Sequence, residues 1–92
     1  MGMQTDILAT SLAASGTAAG GRARVRGALI EPGTSAGSAV FKDGGSSGTT
    51  KFTVNTSANG ETFSVVIPAD GVLFETNVYV ALTNAKVTVF YA

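Results

Sequence analysis

The stretch FKDGGSSGTTKFTVNTSANGETFSVVIPADGVLF, residues 41–74, decides the fold of this chain. Four phenylalanines recur in it at intervals of eleven residues: Phe41, Phe52, Phe63 and Phe74. A turn signal lies between successive phenylalanines: Asp43-Gly44-Gly45, Asn59-Gly60 and Asp70-Gly71. A right-handed supercoiled helix also has an eleven-residue period, but the intervals here are rich in Gly, Ser, Thr and Val. The spacing therefore predicts short strands in a sandwich or barrel, each directing one aromatic ring into a shared core.

Alternating residues on both sides of this stretch predict further strands. In the strand 22–30, strict alternation places five residues on one face: Arg22, Arg24, Arg26, Ala28 and Ile30. Near the carboxyl end, Val87, Val89 and Tyr91 alternate against Thr88 and Phe90. The pair Asn59-Gly60 favours a type I′ turn, which predicts a hairpin between strands 51–55 and 61–67 with Phe63 facing inward.

The first 21 residues differ in composition from the rest. Met1-Gly2-Met3 resembles a cloning scar, and residues 4–10 alternate weakly, as an edge strand does. Residues 11–21 are rich in Ala, Gly, Ser and Thr, which indicates a loose loop or a poorly packed strand pair. A short helix is the alternative, but three glycines disfavour it. We therefore divide the chain into an N-terminal segment, 1–21, acting as an edge strand or an arm, and a β-sandwich domain, 22–92.

The fold class that follows is all-β. Seven to eight short strands predict a small antiparallel β-sandwich of the jelly-roll or Greek-key kind. The chain has 92 residues and no cysteine, so no disulfide compensates for a small core. Small all-β domains of this kind often gain stability by oligomerising, and we expect a dimer or a trimer.

Composition argues against several classes of partner. Six basic residues balance six acidic ones, and only 13% of the chain is charged. Binding to nucleic acid needs a dense cationic surface, which this chain lacks. No apolar run approaches the ~20 residues that span a bilayer, so we expect no membrane segment. A basic flank followed by an apolar run is also missing at the N-terminus, so a signal peptide is not expected.

Residue types that carry catalysis are scarce. The chain contains neither histidine nor cysteine, which removes the commonest general base, the thiol nucleophile and the usual zinc ligands. Its carboxylates lie mainly beside turn glycines or at strand ends, where turn chemistry places them. The Gly/Ser-rich loop 44–51 lacks the spacing of a phosphate-binding loop and precedes a strand instead of a helix. We expect no enzyme activity, no cofactor and no metal.

Candidate interface residues are more numerous. Arg22, Arg24 and Arg26 point the same way along one strand, either to dock an acidic protein surface or to form a solvated face that discourages edge pairing. Tyr79 is either a stacking platform for sugars or bases, or a residue of the core or an interface. In the N-terminal segment, the candidates are Gln4, Asp6, Leu8 and Leu12.

From about Arg22 onward, several strands in a particular order carry a resemblance to a known family. They are Arg24–Ile30, Val40–Gly44, Gly71–Phe74, Val78–Thr83 and Val87–Tyr91. In this order they resemble a family of small all-β virion proteins of tailed bacteriophages. Members of that family are structural, either head decoration (cement) proteins or small tail and fibre components, and the resemblance carries over no catalytic residue.

The resemblance implies a location on the capsid surface of a virion. The partner would be the major capsid protein, whose lattice the chain would bind from outside and stabilise. A tail- or fibre-associated structural protein is the alternative in the same particle. A carbohydrate-binding module built on a β-sandwich is the alternative from another class, because folds of this kind host unrelated functions.

Overall fold

A computed structural model of the chain describes residues 8–66 and 71–92. These residues form an all-β structure with nine strands, one more than the seven or eight expected. The strands are β1 (Leu8–Leu12), β2 (Gly16–Ala19), β3 (Ala23–Pro32), β4 (Gly37–Asp43), β5 (Thr49–Thr56), β6 (Phe63–Val66), β7 (Val72–Phe74), β8 (Val78–Thr83) and β9 (Ala85–Tyr91).

The strands form two antiparallel sheets. Sheet A has the order β1-β9-β3-β6, with β7 also paired to β3, and sheet B has the order β2-β8-β4-β5. The pairing is nested, because β1 pairs with β9, β2 with β8, β3 with β6 and β7, and β4 with β5. A long hairpin wrapped over itself into two sheets is a jelly roll. The small jelly-roll-like β-sandwich expected from the sequence is confirmed.

Most connections cross from one sheet to the other. Asn84 alone separates β8 in sheet B from β9 in sheet A, and its φ of 49° lies in the left-handed region. The hairpin expected at Asn59-Gly60 is wrong, because β5 pairs with β4 in sheet B while β6 pairs with β3 in sheet A. Asn59 does have a positive φ of 53°, but it turns the chain between the sheets. Burial of both strands against one core outweighs the local hairpin preference.

The core lies between the sheets and draws on both of them. The largest fully buried side chains are Phe41, Phe74, Ile30, Val25, Val78, Val80 and Val89. Phe52 is half-buried and stacks on Phe41 with ring centroids 4.3 Å apart. Phe63 lies in register with the buried Ile30 and so faces inward as expected, but it is not buried in the core, because it is 37% exposed at the first residue of an edge strand. Only Phe41, Phe52 and Phe74 therefore serve the core.

A β-bulge interrupts the alternation expected for strand 22–30. Val25 pairs with Tyr91 and Gly27 with Phe90, so Arg26 is an extra residue with no partner position on β9. Before the bulge Val25 points inward, and after it Ala28 and Ile30 do so. The expectation that Ala28 and Ile30 share a face with the arginines is thus wrong, because a bulge shifts the alternation by one residue.

Much of the N-terminal segment belongs to the sandwich. Within the segment expected to be an edge strand or an arm, β1 and β2 form one edge strand in each sheet. Ala18 and Ala19 are buried in the shared core. The strand β2 is the additional, ninth strand. It lies in a region for which the sequence allowed either a loose loop or a poorly packed strand pair.

Candidate protein-interaction surfaces

The three arginines stay at one end of sheet A without forming a continuous row. Arg22 is exposed and precedes β3, whereas Arg24 is half-buried on the outward face, opposite Leu73 of β7. Arg26 is the bulge residue; its Nε is buried and has no hydrogen-bond partner among the described residues. Arg22 and Arg24 therefore remain the two arginines that a partner reaches most easily.

The other candidates are dispersed. Leu8 is 54% exposed at the start of β1, and Leu12 is half-buried against the core. Tyr79 is half-buried on the outward face of sheet B, paired in register with Thr17 and Lys42. Tyr79 and the arginines therefore lie on different sheets. Gln4 and Asp6 lie outside the described residues.

The outward face of sheet A carries two exposed apolar side chains that the candidate set omitted. Leu29 is 41% exposed and Phe90 is 38% exposed. Phe90 lies opposite Ala9 on one side and Gly27 on the other, and Leu29 lies opposite Thr88 and Ser64. Since Phe90 and Thr88 are two residues apart on β9, Phe90 and Leu29 are diagonal neighbours. We call Leu29, Phe90 and Gly27 the apolar face.

Gly27 matters to this face because it leaves the ring of Phe90 without a side chain beside it on β3. A Cβ atom at position 27 would lie 3.1 Å from the carbonyl oxygen of Val65, so the approach of β6 is close. A larger residue would crowd that strand and also cover the ring. The bulge and the glycine together keep Phe90 accessible.

Charges flank the apolar face at both ends of β3. Arg24 points outward at the beginning of the strand, and Glu31 follows Leu29 near its end, in register with Lys86 of β9. Leu29, Glu31 and Lys86 also line a cavity of about 250 Å³. A groove of about 760 Å³, which shares Glu31 and Lys86, opens at that end of the sandwich. A partner on this face would therefore meet an apolar centre, a basic end and a mixed-charge end.

A hydrogen-bonded clasp joins the β4–β5 and β7–β8 connections. The Asp43 carboxylate accepts hydrogen bonds from the backbone N–H groups of Glu75 at 3.0 Å and Thr76 at 2.8 Å. In return, the side-chain oxygen of Asn77 accepts hydrogen bonds from the N–H groups of Gly44 at 3.1 Å and Gly45 at 3.0 Å. The N–H groups of Glu75 and Thr76 stabilise the ionised carboxylate and so lower the pKa of Asp43.

We expect the substitution Asp43→Asn to lower the midpoint of thermal unfolding by several degrees at neutral pH, because the amide offers one acceptor oxygen instead of two. The folded-state pKa of Asp43 lies below its ordinary value of 3.8, so its stabilising effect is complete above that value. The effect is lost as the pH falls through the folded-state pKa. Circular dichroism melts from neutral to strongly acidic pH should show the two proteins converging in acid.

The matched control for this experiment is Glu61→Gln, at a carboxylate that is exposed. It removes the same charge outside the clasp, and we expect a melting curve close to that of the wild type. A difference between wild type and Asp43→Asn that stays constant down to strongly acidic pH would contradict the role of the ionised carboxylate.

Within residues 8–66 and 71–92, no group of three or more His, Cys, Asp or Glu side chains is placed to hold a metal ion. The same residues include no helix that is long and apolar enough to cross a membrane. Absence of enzyme activity stays a prediction from the sequence.

Comparison of the chain with protein-family models, with curated proteins and with solved structures finds no match.

Proposed function

We propose that this chain is a virion structural protein of the decoration type, which binds the outer surface of a capsid lattice and stabilises the head. The observation that carries the proposal is the apolar face. Leu29 and Phe90 are large apolar side chains that are exposed as diagonal neighbours on the outward face of sheet A. Neighbouring apolar groups exposed on a sheet face favour contact with another protein.

Two further observations support the proposal. The first is the architecture, because jelly rolls are frequent among viral capsid proteins. Only 13% of the residues are charged and the formal net charge is zero, which suits a protein packed against a lattice. The family resemblance described above indicates the same role.

The chemistry of the apolar face defines the partner surface. The partner presents a flat apolar patch to Leu29 and Phe90, with carboxylates placed to meet Arg22 and Arg24. The major capsid protein is the partner in this proposal. Each contact is small, but a lattice offers many equivalent sites, and weak contacts then add through avidity when copies are linked.

Cryo-electron microscopy of intact particles that carry the chain tests the proposal. Regular density at lattice positions on the head is the expected result, with the apolar face against the major capsid protein. Density confined to the tail would replace the proposal with a tail- or fibre-associated role. An absence of density in the particle would overturn both, and glycan binding by the purified chain would then support a carbohydrate-binding module.

We expect the substitution Phe90→Thr to weaken binding of the purified chain to undecorated particles by about tenfold or more, because it removes an aromatic anchor from the contact. Threonine suits an exposed strand position, so the fold should be retained. Co-sedimentation with particles over a range of protein concentrations measures the change.

Phe63→Thr is the matched control. Phe63 and Phe90 are 37% and 38% exposed and belong to the same sheet, but Phe63 lies in register with the buried Ile30 and not on the apolar face. Binding by Phe63→Thr should stay near the wild-type value. Equal losses in the two variants would show that the apolar face is not the contact.

A further inference from the structure

Among the residues that the structure describes, β5 is the longest edge strand of the sandwich. It is eight residues long, whereas the described parts of the other edge strands have five residues in β1, four in β2, four in β6 and three in β7. Short edge strands resist pairing with other chains, and long ones invite it. Among the described strands, β5 pairs with β4 alone. Within residues 8–66 and 71–92, one edge of β5 is therefore unpaired.

The sequence of β5, TTKFTVNT, suits pairing with a further strand. It contains no proline or glycine, and its only charged residue is Lys51. A register shift against β4 makes Lys51 a bulge residue, so the regular edge begins at Phe52. Lysines and bulges are devices that block edge pairing, and here both act at one end only. The segment Phe52–Thr56 is left unprotected.

Two of the three inward side chains of this segment are incompletely covered, whereas the third, Thr56, is buried. Phe52 and Val54 pack against the core but remain half-buried, because no described strand follows β5 in sheet B. An additional strand beside β5 would bury more of both side chains and pair the backbone groups of the free edge. Pairing would therefore be stabilised both by apolar burial and by backbone hydrogen bonds.

The sequence of β5 is complementary to itself in antiparallel pairing. With Thr53 opposite Thr53 of a second copy, Phe52 faces Val54 of that copy, and Val54 faces its Phe52. Aromatic and β-branched side chains are favourable cross-strand partners. Lys51 falls beside Asn55 of the second copy, so the two lysines do not oppose each other. A two-fold axis through this pairing closes the assembly at two copies.

We propose that β5 is a self-association surface, through which two copies pair antiparallel about Thr53 and join their sheets B into one eight-stranded sheet. The proposal does not rest on the capsid-binding role, because it concerns the isolated chain. The occupant of the edge is a second copy, since this register pairs residues 52–54 of one chain, all within the unprotected segment, with the same residues of the other chain.

Sedimentation velocity of the purified chain over a dilution series tests the proposal, and a concentration-dependent dimer is expected. Thr53 is exposed, so a charge there should leave the fold intact. Thr53→Lys alone and Thr53→Glu alone should each raise the dissociation constant by about tenfold or more, because like charges then face each other. An equimolar mixture of the two variants should restore the dimer.

Thr17→Lys is the matched control. Thr17 is also exposed and outward on sheet B, but it lies on β2 at the opposite edge. This variant should dimerise like the wild type. Hydrogen exchange should also slow in β5 on dimer formation.

Three results would each overturn the proposal. They are a wild-type chain that is monomeric at every concentration, a mixture that stays monomeric while circular dichroism shows both variants folded, and an effect of Thr17→Lys equal to that of Thr53→Lys. A monomeric chain that still decorates particles would leave the capsid-binding proposal standing.

Discussion

Replacing Phe41 with alanine is expected to lower the free energy of unfolding by about 3–5 kcal/mol, the usual cost of removing a buried aromatic ring. Phe41 is fully buried and stacks on Phe52 with centroids 4.3 Å apart, so the substitution leaves a cavity and an unsupported neighbouring ring. A domain of this size has roughly 5–15 kcal/mol of total stability. Urea denaturation should therefore show a much lower midpoint, or an unfolded protein.

The matched control is Phe63→Ala. Phe63 belongs to the same eleven-residue series but is 37% exposed. We expect it to lower the free energy of unfolding by less than about 1 kcal/mol. Equal losses at Phe41 and Phe63 would contradict the placement of Phe63 at the rim of the sandwich.

The difference between Phe41 and Phe63 shows which features a local sequence pattern can predict. The series Phe41, Phe52, Phe63 and Phe74 predicts strands at the correct places, because strand length and turn spacing are local properties. It does not predict how deeply each ring is buried. Burial depends on whether a strand is central or at an edge, which is decided by pairing with distant segments.

The nested pairing of the strands is another feature that local sequence does not predict. Turn signals such as Asn59-Gly60 fix where the chain bends, but a bend within one sheet and a crossing between sheets use similar residues. The pairing of β1 with β9 joins the two ends of the described chain. Nothing local in either strand specifies the other, so the fold class was predictable while the detailed pairing was not.

Of the two exposed residues of the apolar face, only Phe90 could be predicted from the sequence to point outward. Alternation in the last strand already placed Phe90 opposite the buried Val89. Strict alternation in strand 22–30 predicts that Leu29 lies on the face opposite to the arginines, together with Ala23 and Val25, which are buried. The bulge at Arg26 reverses that assignment and brings Leu29 beside Phe90 on the outside. The position of a bulge depends on how a strand pairs with its partner strand. In the local sequence, Gly27 was the sole signal for a bulge.

The two proposed surfaces are compatible with each other. The apolar face lies on sheet A, and self-association uses the edge of sheet B. A two-fold axis perpendicular to a continuous sheet leaves equivalent faces on the same side of that sheet. A dimer through β5 would thus direct both apolar faces the same way. Two linked faces bind a repeating lattice more tightly than one, through their effective concentration.

We expect the substitution Gly37→Ala to lower the free energy of unfolding by about 3 kcal/mol, the upper range for overpacking. A Cβ atom at position 37 would collide with the carbonyl oxygen of Thr83 and lie 3.0 Å from the Cβ of Asn84. These atoms belong to the corner between β8 and β9, whose backbone is held by hydrogen bonds to the β3–β4 connection, such as Gly33 N–H to Asn84 O at 2.8 Å. The nearest of these atoms belongs to the backbone, which cannot rotate out of the way as a flexible side chain can.

The expected destabilisation by Gly37→Ala is opposite in sign to the usual effect of such a substitution. Gly→Ala within a strand normally stabilises by roughly 0.5–1 kcal/mol, because alanine has less backbone freedom to lose. Gly20→Ala is the control, since a Cβ atom there meets nothing within 4 Å. It should be neutral or slightly stabilising in the same urea titration. A Gly37→Ala variant as stable as Gly20→Ala would mean that β4 and the β8–β9 corner do not approach as closely as the jelly roll requires.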